Sequence, residues 1–226
     1  MKLIKTEDGL DTVHSLKYNE TYHSKHGVLQ ESQHVFLDGS GVSEKIKRQR
    51  RLSVLEIGFG TGFNFFLTAA LAQKEKAKLF YVSIENDLLS YDDFLKLNHD
   101  TVFAPNTVRV NFLKWRKQNP VLNFGKYDID FESIHLSLIN SNALQVKLPQ
   151  DHFDAVYQDA FSPDVNPELW TVSFFRKIKF SMKQGAKLST YSAKGSAKRA
   201  LLKAGFVVLK QPGPKGKREM LVALKE

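Results

Sequence analysis

A chain of 226 residues with 42% hydrophobic and 25% charged residues has the composition of a globular domain rather than of a disordered chain. It contains no cysteine, which excludes a disulfide framework, a thiolate metal site and a cysteine nucleophile. No stretch is apolar and long enough for a membrane span or a secretory signal, so we expect a cytoplasmic protein.

The net charge of +9 is unevenly distributed along the chain. Residues 171–226 contain 14 Lys and Arg against two Glu, a charge of +12, whereas residues 1–170 carry −3. A basic C-terminal quarter suggests a surface that faces a polyanion such as a nucleic acid. A lysine-rich solvated face would give the same count, so charge alone leaves both interpretations open.

Hydrophobic periodicity divides the chain at about residue 50. Residues 1–50 are polar and interrupted by glycines, and they predict an irregular N-terminal extension that packs on the core. Over residues 51–226, strands alternate with helices, which indicates a mostly parallel, Rossmann-like sheet covered on both faces. The short last connection predicts that the final two strands pair antiparallel. Strands are predicted over 52–57, 79–84, 133–139, 153–158, 186–191, 206–210 and 218–224, and helices over 64–74, 87–98, 106–119, 169–182 and 196–203.

Three residues are expected to mark helix ends. Asp87 lies near the N-terminus of its helix, where the helix dipole favours an anion. Gly185 follows the helix predicted over 169–182 as a stop, and Gly205 caps the helix predicted over 196–203.

A glycine loop, Gly58-Phe59-Gly60-Thr61-Gly62, follows the first core strand and opens a helix. Its G-x-G-x-G spacing differs from the dinucleotide fingerprint, and no Lys follows as in a phosphate-binding loop. An acidic residue before the glycines suits a zwitterionic ligand such as S-adenosylmethionine better than a diphosphate. A strand-to-helix turn with glycines for packing is the structural alternative. The residues predicted here to bind S-adenosylmethionine are Glu56, Gly58, Gly60, Gly62 and Asn64.

Two further strand ends suggest where the rest of this ligand would bind. Glu85 closes the second strand, 23 residues after Gly62, where a carboxylate can accept hydrogen bonds from both ribose hydroxyls. Its alternative role is that of a helix-capping acid. Asn142 and Ala143 follow the third strand, where class I methyltransferases usually carry an Asp or Asn that meets the adenine. Together with the closing antiparallel hairpin, these features point to a class I S-adenosylmethionine-dependent methyltransferase sheet.

The fourth strand is followed by Asp159-Ala160-Phe161-Ser162-Pro163. Ligands bind beyond the carboxyl ends of strands in open α/β sheets, so Asp159 is placed at the cleft, near the methyl group of the cofactor. A proline soon after an aromatic residue keeps the chain extended and could form a wall for a flat base. A cap for the following helix is the alternative role of Asp159.

Several segments together resemble one family, the tRNA 5-methylaminomethyl-2-thiouridine methyltransferases, over about residues 6–222. They are Glu20-Thr21-Tyr22-His23-Ser24, Leu29-Gln30-Glu31-Ser32, Leu55 to Asn64, Asp159 to Pro163, Asn166 to Trp170, and Gly216-Lys217-Arg218-Glu219-Met220. In many bacteria this activity is the N-terminal half of a bifunctional wobble-uridine enzyme. The chain stops where the flavin-dependent oxidoreductase half would begin and has no second glycine fingerprint. The resemblance therefore implies a standalone methyltransferase that uses S-adenosylmethionine, without flavin or metal.

The implied reaction moves a methyl group from S-adenosylmethionine to the amine of 5-aminomethyl-(2-thio)uridine at the wobble position, giving 5-methylaminomethyl-(2-thio)uridine. The partner is the tRNA anticodon loop, and another enzyme must supply the aminomethyl precursor. We expect a monomer with no membrane partner.

The resemblance also suggests roles for individual residues. Asp159 would orient the amine as the catalytic residue, in addition to contacting the cofactor, and take or relay its proton. The residues predicted to bind substrate are Tyr22, Phe161, Pro163, Tyr191, Lys217 and Arg218. Phe161, Pro163 and Tyr191 would frame a flipped base by stacking, although Tyr191 is equally compatible with a core position. Lys217 and Arg218 would contact the anticodon backbone or the pocket, or form a solvated pair, and a structural role is expected for His23.

Two other functions remain open at this point. An aminopropyltransferase of the spermidine-synthase class uses a similar sheet and a related cofactor, although a basic quarter disfavours a polyamine substrate. A non-catalytic RNA-binding module with a vestigial pocket would retain the charge, but the complete glycine loop with Glu85 argues against it.

Overall fold

The strands form two sheets in the computed structural model, which describes residues 2–103 and 107–226. The small sheet consists of β1 (Lys2–Lys5), β2 (Asp11–Ser15) and β3 (Glu20–Thr21). The strands of the large sheet are β4 (Arg51–Ile57), β5 (Lys78–Glu85), β6 (Gly125–Phe131), β7 (Ile134–Asn140), β8 (Phe153–Gln158), β9 (Met182–Thr190), β10 (Val207–Pro212) and β11 (Glu219–Leu224).

Helices connect most of these strands. They are α1 (Val28–Glu31), which a π-helical stretch continues over Ser32–Asp38, α2 (Val42–Arg48), α3 (Phe63–Lys74), α4 (Tyr91–Leu95), α5 (Asp100–Phe103), α6 (Thr107–Gln118), α7 (Val172–Ser181) and α8 (Gly195–Lys203). A 3-10 turn over Pro167–Trp170 precedes α7. No helix within the described residues is both long and apolar enough to cross a membrane.

The large sheet has the strand order β10-β11-β9-β8-β4-β5-β7-β6. The five strands β7, β5, β4, β8 and β9 are parallel, whereas β11 runs antiparallel to both β9 and β10, and β6 runs antiparallel to β7. The predicted fold class, a mostly parallel α/β sheet that ends in an antiparallel hairpin, is therefore confirmed.

Each face of the sheet has its own hydrophobic core. Because successive side chains of a strand point to opposite faces, Val54 and Leu55 of β4 belong to different clusters. Val54 shares one cluster with Phe65 of α3, and Leu55 shares the other with Phe175 of α7. The helix that follows β4 and the helix that follows β8 therefore lie on opposite faces of the sheet.

Residues before the first core strand are ordered rather than irregular, so that part of the prediction is wrong. Val13 of β2, Val28 of α1 and Phe36 of the π-helical stretch are buried in the same cluster as Val54. These segments owe their order to tertiary packing, which a polar local sequence does not reveal. They share this core with the large sheet, and the division of the chain into an extension and a methyltransferase domain at residue 50 stays a prediction.

Two helices begin later than predicted because a hydroxyl side chain caps each of them. Ser90 accepts the backbone N–H of Asp93, so α4 begins at Tyr91 and Asp87 lies outside it. Thr171 accepts the N–H of Phe174 and starts α7 after the 3-10 turn. The helix predicted over 106–119 is α6, and its expected first residue, 106, lies outside the described residues.

Two predictions concerning strands also need correction. Gly185 does not stop α7, because the helix ends at Ser181 and Gly185 lies within β9, whereas Gly205 does follow α8 with a positive φ of 90°. The edge strand β6 was not predicted. Its alternation of Lys126, Asp128 and Asp130 with apolar residues is the signal for a strand with one buried face.

Candidate active site

A cavity of about 290 Å³ lies at the carboxyl ends of β4, β5 and β8. Strands β4 and β8 are parallel neighbours, and the chain leaves them toward opposite faces of the sheet. In open α/β sheets the connections separate at such a point and leave a crevice for a ligand. The glycine loop after β4 and the Asp159 segment after β8 both line this cavity.

The glycine loop lies against two other segments without space for side chains. Gly58 has a φ of +96°, and a Cβ atom there would lie 2.6 Å from the backbone oxygen of Asp159. Gly60 has a φ of +51°, and its Cβ would lie 2.7 Å from Cδ1 of Tyr22. Both positions therefore need glycine for backbone conformation and for close approach. Gly62 faces the core instead of another loop, because a Cβ atom there would meet the rings of Phe59 and Phe66. This contact fits the alternative interpretation, in which the glycine serves packing.

Glu85 links the end of β5 to the glycine loop. Its Oε2 accepts the N–H of Gly60 at 3.2 Å, and its Oε1 accepts the N–H groups of Asn86 and Asp87, each at 2.8 Å. Burial raises the pKa of the carboxyl group, against the opposing effect of these hydrogen bonds. A carboxylate offers about four acceptor positions, so one remains for a ligand hydroxyl in the cavity, whereas the predicted contact with both ribose hydroxyls needs two. Helix capping is not its role, since Ser90 caps α4.

Asp159 belongs to a hydrogen-bonded group that extends below the cavity. Its Oδ2 accepts from Nδ2 of Asn64 at 2.8 Å, and the same nitrogen donates to Oε1 of Glu56 at 3.1 Å. Burial raises the pKa of Asp159 well above its usual value, and the charge of Glu31 raises it further. Asp159 therefore holds a proton more tightly than an ordinary aspartate. It caps neither following helix, because Asn166 and Thr171 occupy those positions.

The N-terminal segment forms one wall of the cavity. The carboxylate of Glu20 accepts hydrogen bonds from both the backbone N–H and the hydroxyl of Ser162, which holds the segment after β8 in place. The ring of Tyr18 stacks on Phe161 with a centroid distance of 4.5 Å, and Tyr22 meets Phe161 edge-on at 5.1 Å. The three rings present an aromatic surface where a flat base could stack.

A lysine from the β10–β11 loop lies at the opposite side of this wall. Nζ of Lys217 is 2.8 Å from Oε1 of Glu31 and 4.1 Å from the ring centroid of Tyr191. The Tyr191 hydroxyl donates to the carbonyl oxygen of Ala160 at 2.8 Å. Lys217 is thus a paired, half-buried residue of the cavity, whereas its neighbour Arg218 is exposed.

His23 has the buried position that a structural histidine would have. Its side chain packs edge-on against Phe63, and Nδ1 lies 3.1 Å from the hydroxyl oxygen of Thr12. Burial lowers the pKa of His23 to about 4, so the ring is neutral at neutral pH. Within the described residues, no group of three or more His, Asp or Glu side chains could hold a metal ion.

Most of the predicted site residues come together at the cavity. Those that line it are Tyr22, Gly58, Gly60, Asn64, Glu85, Asn142, Ala143, Asp159, Phe161, Tyr191 and Lys217. Glu56 is fully buried beneath it, Gly62 lies in the core, and Pro163 and Arg218 do not reach it. These positions are compatible with the predicted roles of the lining residues, which stay predictions.

Among the side chains that line the cavity, Tyr18, Glu20 and Glu31 make contacts that build its wall, and the sequence alone indicated no role for them. Glu20 and Glu31 lie within two of the segments on which the family resemblance rests. An acidic residue in a motif segment without regular periodicity was the signal that could have indicated a site role for Glu20 and Glu31. Tyr18 gave no signal, because only the folded chain brings it onto Phe161.

The cavity has the features that S-adenosylmethionine needs. The bare backbone of Gly58 and Gly60 leaves space along the glycine loop, and Glu85 offers a carboxylate oxygen at the end of the neighbouring strand. Asn64 adds a buried amide oxygen that has no hydrogen-bond partner within the described residues. The ligand carries an amino acid group, ribose hydroxyls and no phosphate, so these two acceptors fit its ammonium and hydroxyl groups.

Comparisons with known proteins agree with this chemistry. Residues 109–226 match the model of a family described as S-adenosyl-L-methionine-dependent methyltransferase. The chain is 34% identical over 223 residues to the tRNA 5-methylaminomethyl-2-thiouridine biosynthesis bifunctional protein MnmC of Burkholderia multivorans, covering 96% of this chain and 33% of that protein. The protein of the same name from Burkholderia thailandensis is 34% identical over 227 residues, covering 97% of this chain and 34% of that protein. The chain thus spans about a third of the length of the curated relatives it matches.

A solved structure is similar over nearly the whole chain. The crystal structure of MNMC2 from Aquifex aeolicus has a TM-score of 0.82 and 29% sequence identity, and it covers 99% of this chain and 70% of that chain. These matches agree with the family resemblance inferred from the sequence motifs. The cofactor of the matched family is S-adenosylmethionine. The chain belongs to the family of S-adenosyl-L-methionine-dependent methyltransferases.

Proposed function

We propose that the chain transfers a methyl group from S-adenosylmethionine to the amine of 5-aminomethyl-(2-thio)uridine at the wobble position of tRNA, giving 5-methylaminomethyl-(2-thio)uridine. The observation that carries the proposal is Asp159, a basic carboxylate beside the glycine loop in a cavity with an aromatic wall. The names of the relatives support the same reaction.

The reaction requires a neutral amine. If the pKa of the substrate amine is near that of a lysine, about 10, only about one molecule in a thousand is neutral at pH 7. This raises the barrier by about 4 kcal/mol unless the site assists deprotonation. When bound, S-adenosylmethionine supplies a methyl group on a positively charged sulfur.

Asp159 is proposed to bind the ammonium, orient its nitrogen and accept the proton that the nitrogen loses. A carboxylate next to an ammonium stabilises the charged form, so it does not lower the pKa of the amine. It reduces the cost of proton transfer in another way. Because burial and the neighbouring Glu31 raise the pKa of Asp159, its carboxylate is a stronger base than an exposed one.

The aromatic wall is proposed to receive the base. A uridine flipped out of the anticodon loop would stack on the surface of Tyr18, Tyr22 and Phe161. Tyr191 would form the side of the pocket next to Lys217 and would not stack on the base, because its hydroxyl donates a hydrogen bond to the carbonyl oxygen of Ala160. Pro163 would keep the segment after Phe161 extended from outside the cavity.

The basic C-terminal quarter is proposed to contact the anticodon backbone. Arg218 is exposed next to the cavity residue Lys217. The hydrogen bond from Lys210 lowers the pKa of Glu219, and the charges of Arg218 and Lys198 lower it further. Arg199 is exposed on α8, whose N-terminus follows the strand that ends near Tyr191. Exposed cations beside the cavity residue Lys217 would attract phosphates.

The rival functions are less well supported. The family match specifies methyl transfer rather than aminopropyl transfer. A binding module without catalysis would not need a basic carboxylate held beside the glycine loop.

Other parts of the proposal follow from the substrate. A separate enzyme must supply the aminomethyl group, because methylation acts on an amine that is already present. A tRNA substrate places the reaction in the cytoplasm, and a monomer remains the expected state.

Incubation with methyl-labelled S-adenosylmethionine and tRNA from cells that lack the modification tests the proposal. Nucleoside analysis should find the label in 5-methylaminomethyl-(2-thio)uridine, and Asp159→Ala should abolish it. Label in another nucleoside would contradict the proposal. Calorimetry with S-adenosylmethionine, which should bind to both proteins, separates a failed reaction from a failed cofactor site.

A further inference from the structure

Glu56 is buried beneath the cavity and has only neutral hydrogen-bond partners. Its side chain is 0% exposed, and its Oε2 lies 2.7 Å from the hydroxyl oxygen of Ser83. Its Oε1 lies 3.1 Å from Nδ2 of Asn64. A carboxylate buried in this way is strongly disfavoured relative to the neutral acid. Burial accordingly raises the pKa of Glu56 to about 8, so the group is uncharged at pH 7.

The protonated acid fits both contacts. The hydroxyl hydrogen on Oε2 can point to Ser83, whose own hydroxyl rotates to accept it, while Oε1 still accepts from Asn64. One nitrogen of Asn64 then donates one hydrogen to Glu56 and the other to Asp159. With the proton of Glu56 on Oε2, exchange of the amide nitrogen and oxygen would place an acceptor against Oε1 of Glu56 and against the Asp159 carboxylate. Glu56 therefore fixes the Asn64 amide, and the amide fixes Asp159.

We propose that Glu56 is an uncharged positioning residue that holds Asp159 through the Asn64 amide, and that it is not a ligand of S-adenosylmethionine. The part that concerns Asp159 rests on the proposed function. The proposal replaces the role first inferred for Glu56, since its side chain does not line the cavity.

Other groups also act on Asp159, and the test must separate them from Glu56. Glu31 from α1 and Lys217 from the β10–β11 loop have opposite charges near Asp159, and Tyr191 follows β9 next to it. Substitution at Glu56 leaves these three groups in place. Thr68 on α3 provides a matched control. Its buried hydroxyl donates to the backbone carbonyl oxygen of Asn64 and lies 3.2 Å from the Tyr157 hydroxyl, and it makes no hydrogen bond to Asp159.

The protonation of Glu56 can be measured without any turnover. Infrared difference spectra between wild type and Glu56→Gln, at pH 7 with S-adenosylmethionine bound, should show the carbonyl stretch of one protonated carboxylic acid that the variant lacks. Calorimetry should give both proteins the same affinity for S-adenosylmethionine. A carboxylate signal in place of the acid, or a tenfold weaker affinity in Glu56→Gln, would overturn the proposal.

The effect on Asp159 is measured by methyl transfer to the tRNA. Glu56→Leu leaves Asn64 without its acceptor, and a misplacement of about 1 Å at Asp159 lowers kcat by about 100-fold. Glu56→Gln can accept from Asn64 and donate to Ser83, so it should restore most of that rate. Thr68→Val should keep both rate and pH profile. Equal losses in the Gln and Leu variants would show that the charge of Glu56 matters and would refute the proposal.

The pH dependence adds a readout that a purely structural role would not change. Wild type should show an inflection in kcat/KM near pH 8, where Glu56 ionises next to Asp159, and Glu56→Gln should lack it. The same inflection in both proteins would contradict the assignment. If wild type does not methylate tRNA at all, the proposed function fails, while the infrared and affinity measurements still decide the state of Glu56. They also decide it if Glu56→Leu does not fold.

Discussion

Substitution of Gly58 by alanine should damage the site far more than its small size suggests. Gly58 has a φ of +96°, a conformation that costs an alanine about 1–2 kcal/mol. Its new Cβ would also lie 2.6 Å from the backbone oxygen of Asp159, and real Cβ contacts under 3.0 Å essentially do not occur. The end of β8 must therefore move by several tenths of an ångström. Overpacking of this kind costs about 1–3 kcal/mol.

Gly185→Ala is the matched control for this prediction. Gly185 has a φ of +75°, and its Cβ would meet no heavy atom of the described residues within 4 Å. Gly185→Ala should therefore carry the conformational cost alone, which a stiffer unfolded chain partly offsets to leave about 1 kcal/mol. Gly58→Ala should lose about 2–4 kcal/mol of unfolding free energy in urea, because the contact with Asp159 is added.

The cofactor affinity distinguishes the two variants further. Gly58→Ala should weaken S-adenosylmethionine binding by more than tenfold in calorimetry, since a cost of about 1.4 kcal/mol in the bound site already gives that factor. Gly185→Ala should bind like wild type. Wild-type affinity in Gly58→Ala, or the same loss in both variants, would refute the assignment of the glycine loop to the cofactor.

Three further predictions address the chemistry, the RNA surface and stability. Asp159→Asn should lower methyl transfer by about 10²–10⁴-fold while S-adenosylmethionine still binds in calorimetry, and a rate like that of wild type would exclude Asp159 as the proton acceptor. Arg218→Glu should weaken tRNA binding and reduce the slope of log K against log salt by about one, and Lys78→Glu, an exposed change at the amino end of β5, should leave the slope unaltered. Because burial lowers the pKa of His23 to about 4, the unfolded state takes up its proton below about pH 6.5 and the folded state does not. The free energy of unfolding should therefore be unaffected by this group above pH 6.5 and should fall by up to about 3 kcal/mol between pH 6.5 and 4. Urea denaturation should show a smaller fall in His23→Phe. Equal falls in both proteins would show that His23 is not buried in its neutral form.

The central sheet and the location of the site could be predicted because they depend on local patterns. Apolar runs such as Leu52 to Ile57 predict buried strands, and the carboxyl end of a parallel strand marks where a ligand binds. This reasoning is enough to place Glu85 and Asp159 at one cavity. The spacing of the glycines further predicts the class of ligand, S-adenosylmethionine.

The remaining features depend on contacts between segments that are far apart in the chain. Glu20 holds Ser162 across 142 residues, and Lys217 reaches Glu31 across 186 residues. No local pattern specifies such partners, so the N-terminal wall could not be derived from propensity or periodicity. The burial of Glu56 follows from the strand pattern, but its connection to Asp159 requires the position of Asn64 on α3.

The most direct test of the proposed reaction uses a matched pair of tRNAs that differ only at the wobble uridine. One carries the free 5-aminomethyl group, and in the other that amine is acetylated so that its nitrogen cannot be methylated. With methyl-labelled S-adenosylmethionine, the label should appear in the anticodon fragment of the first tRNA alone. Equal labelling of both tRNAs would contradict methyl transfer to this amine.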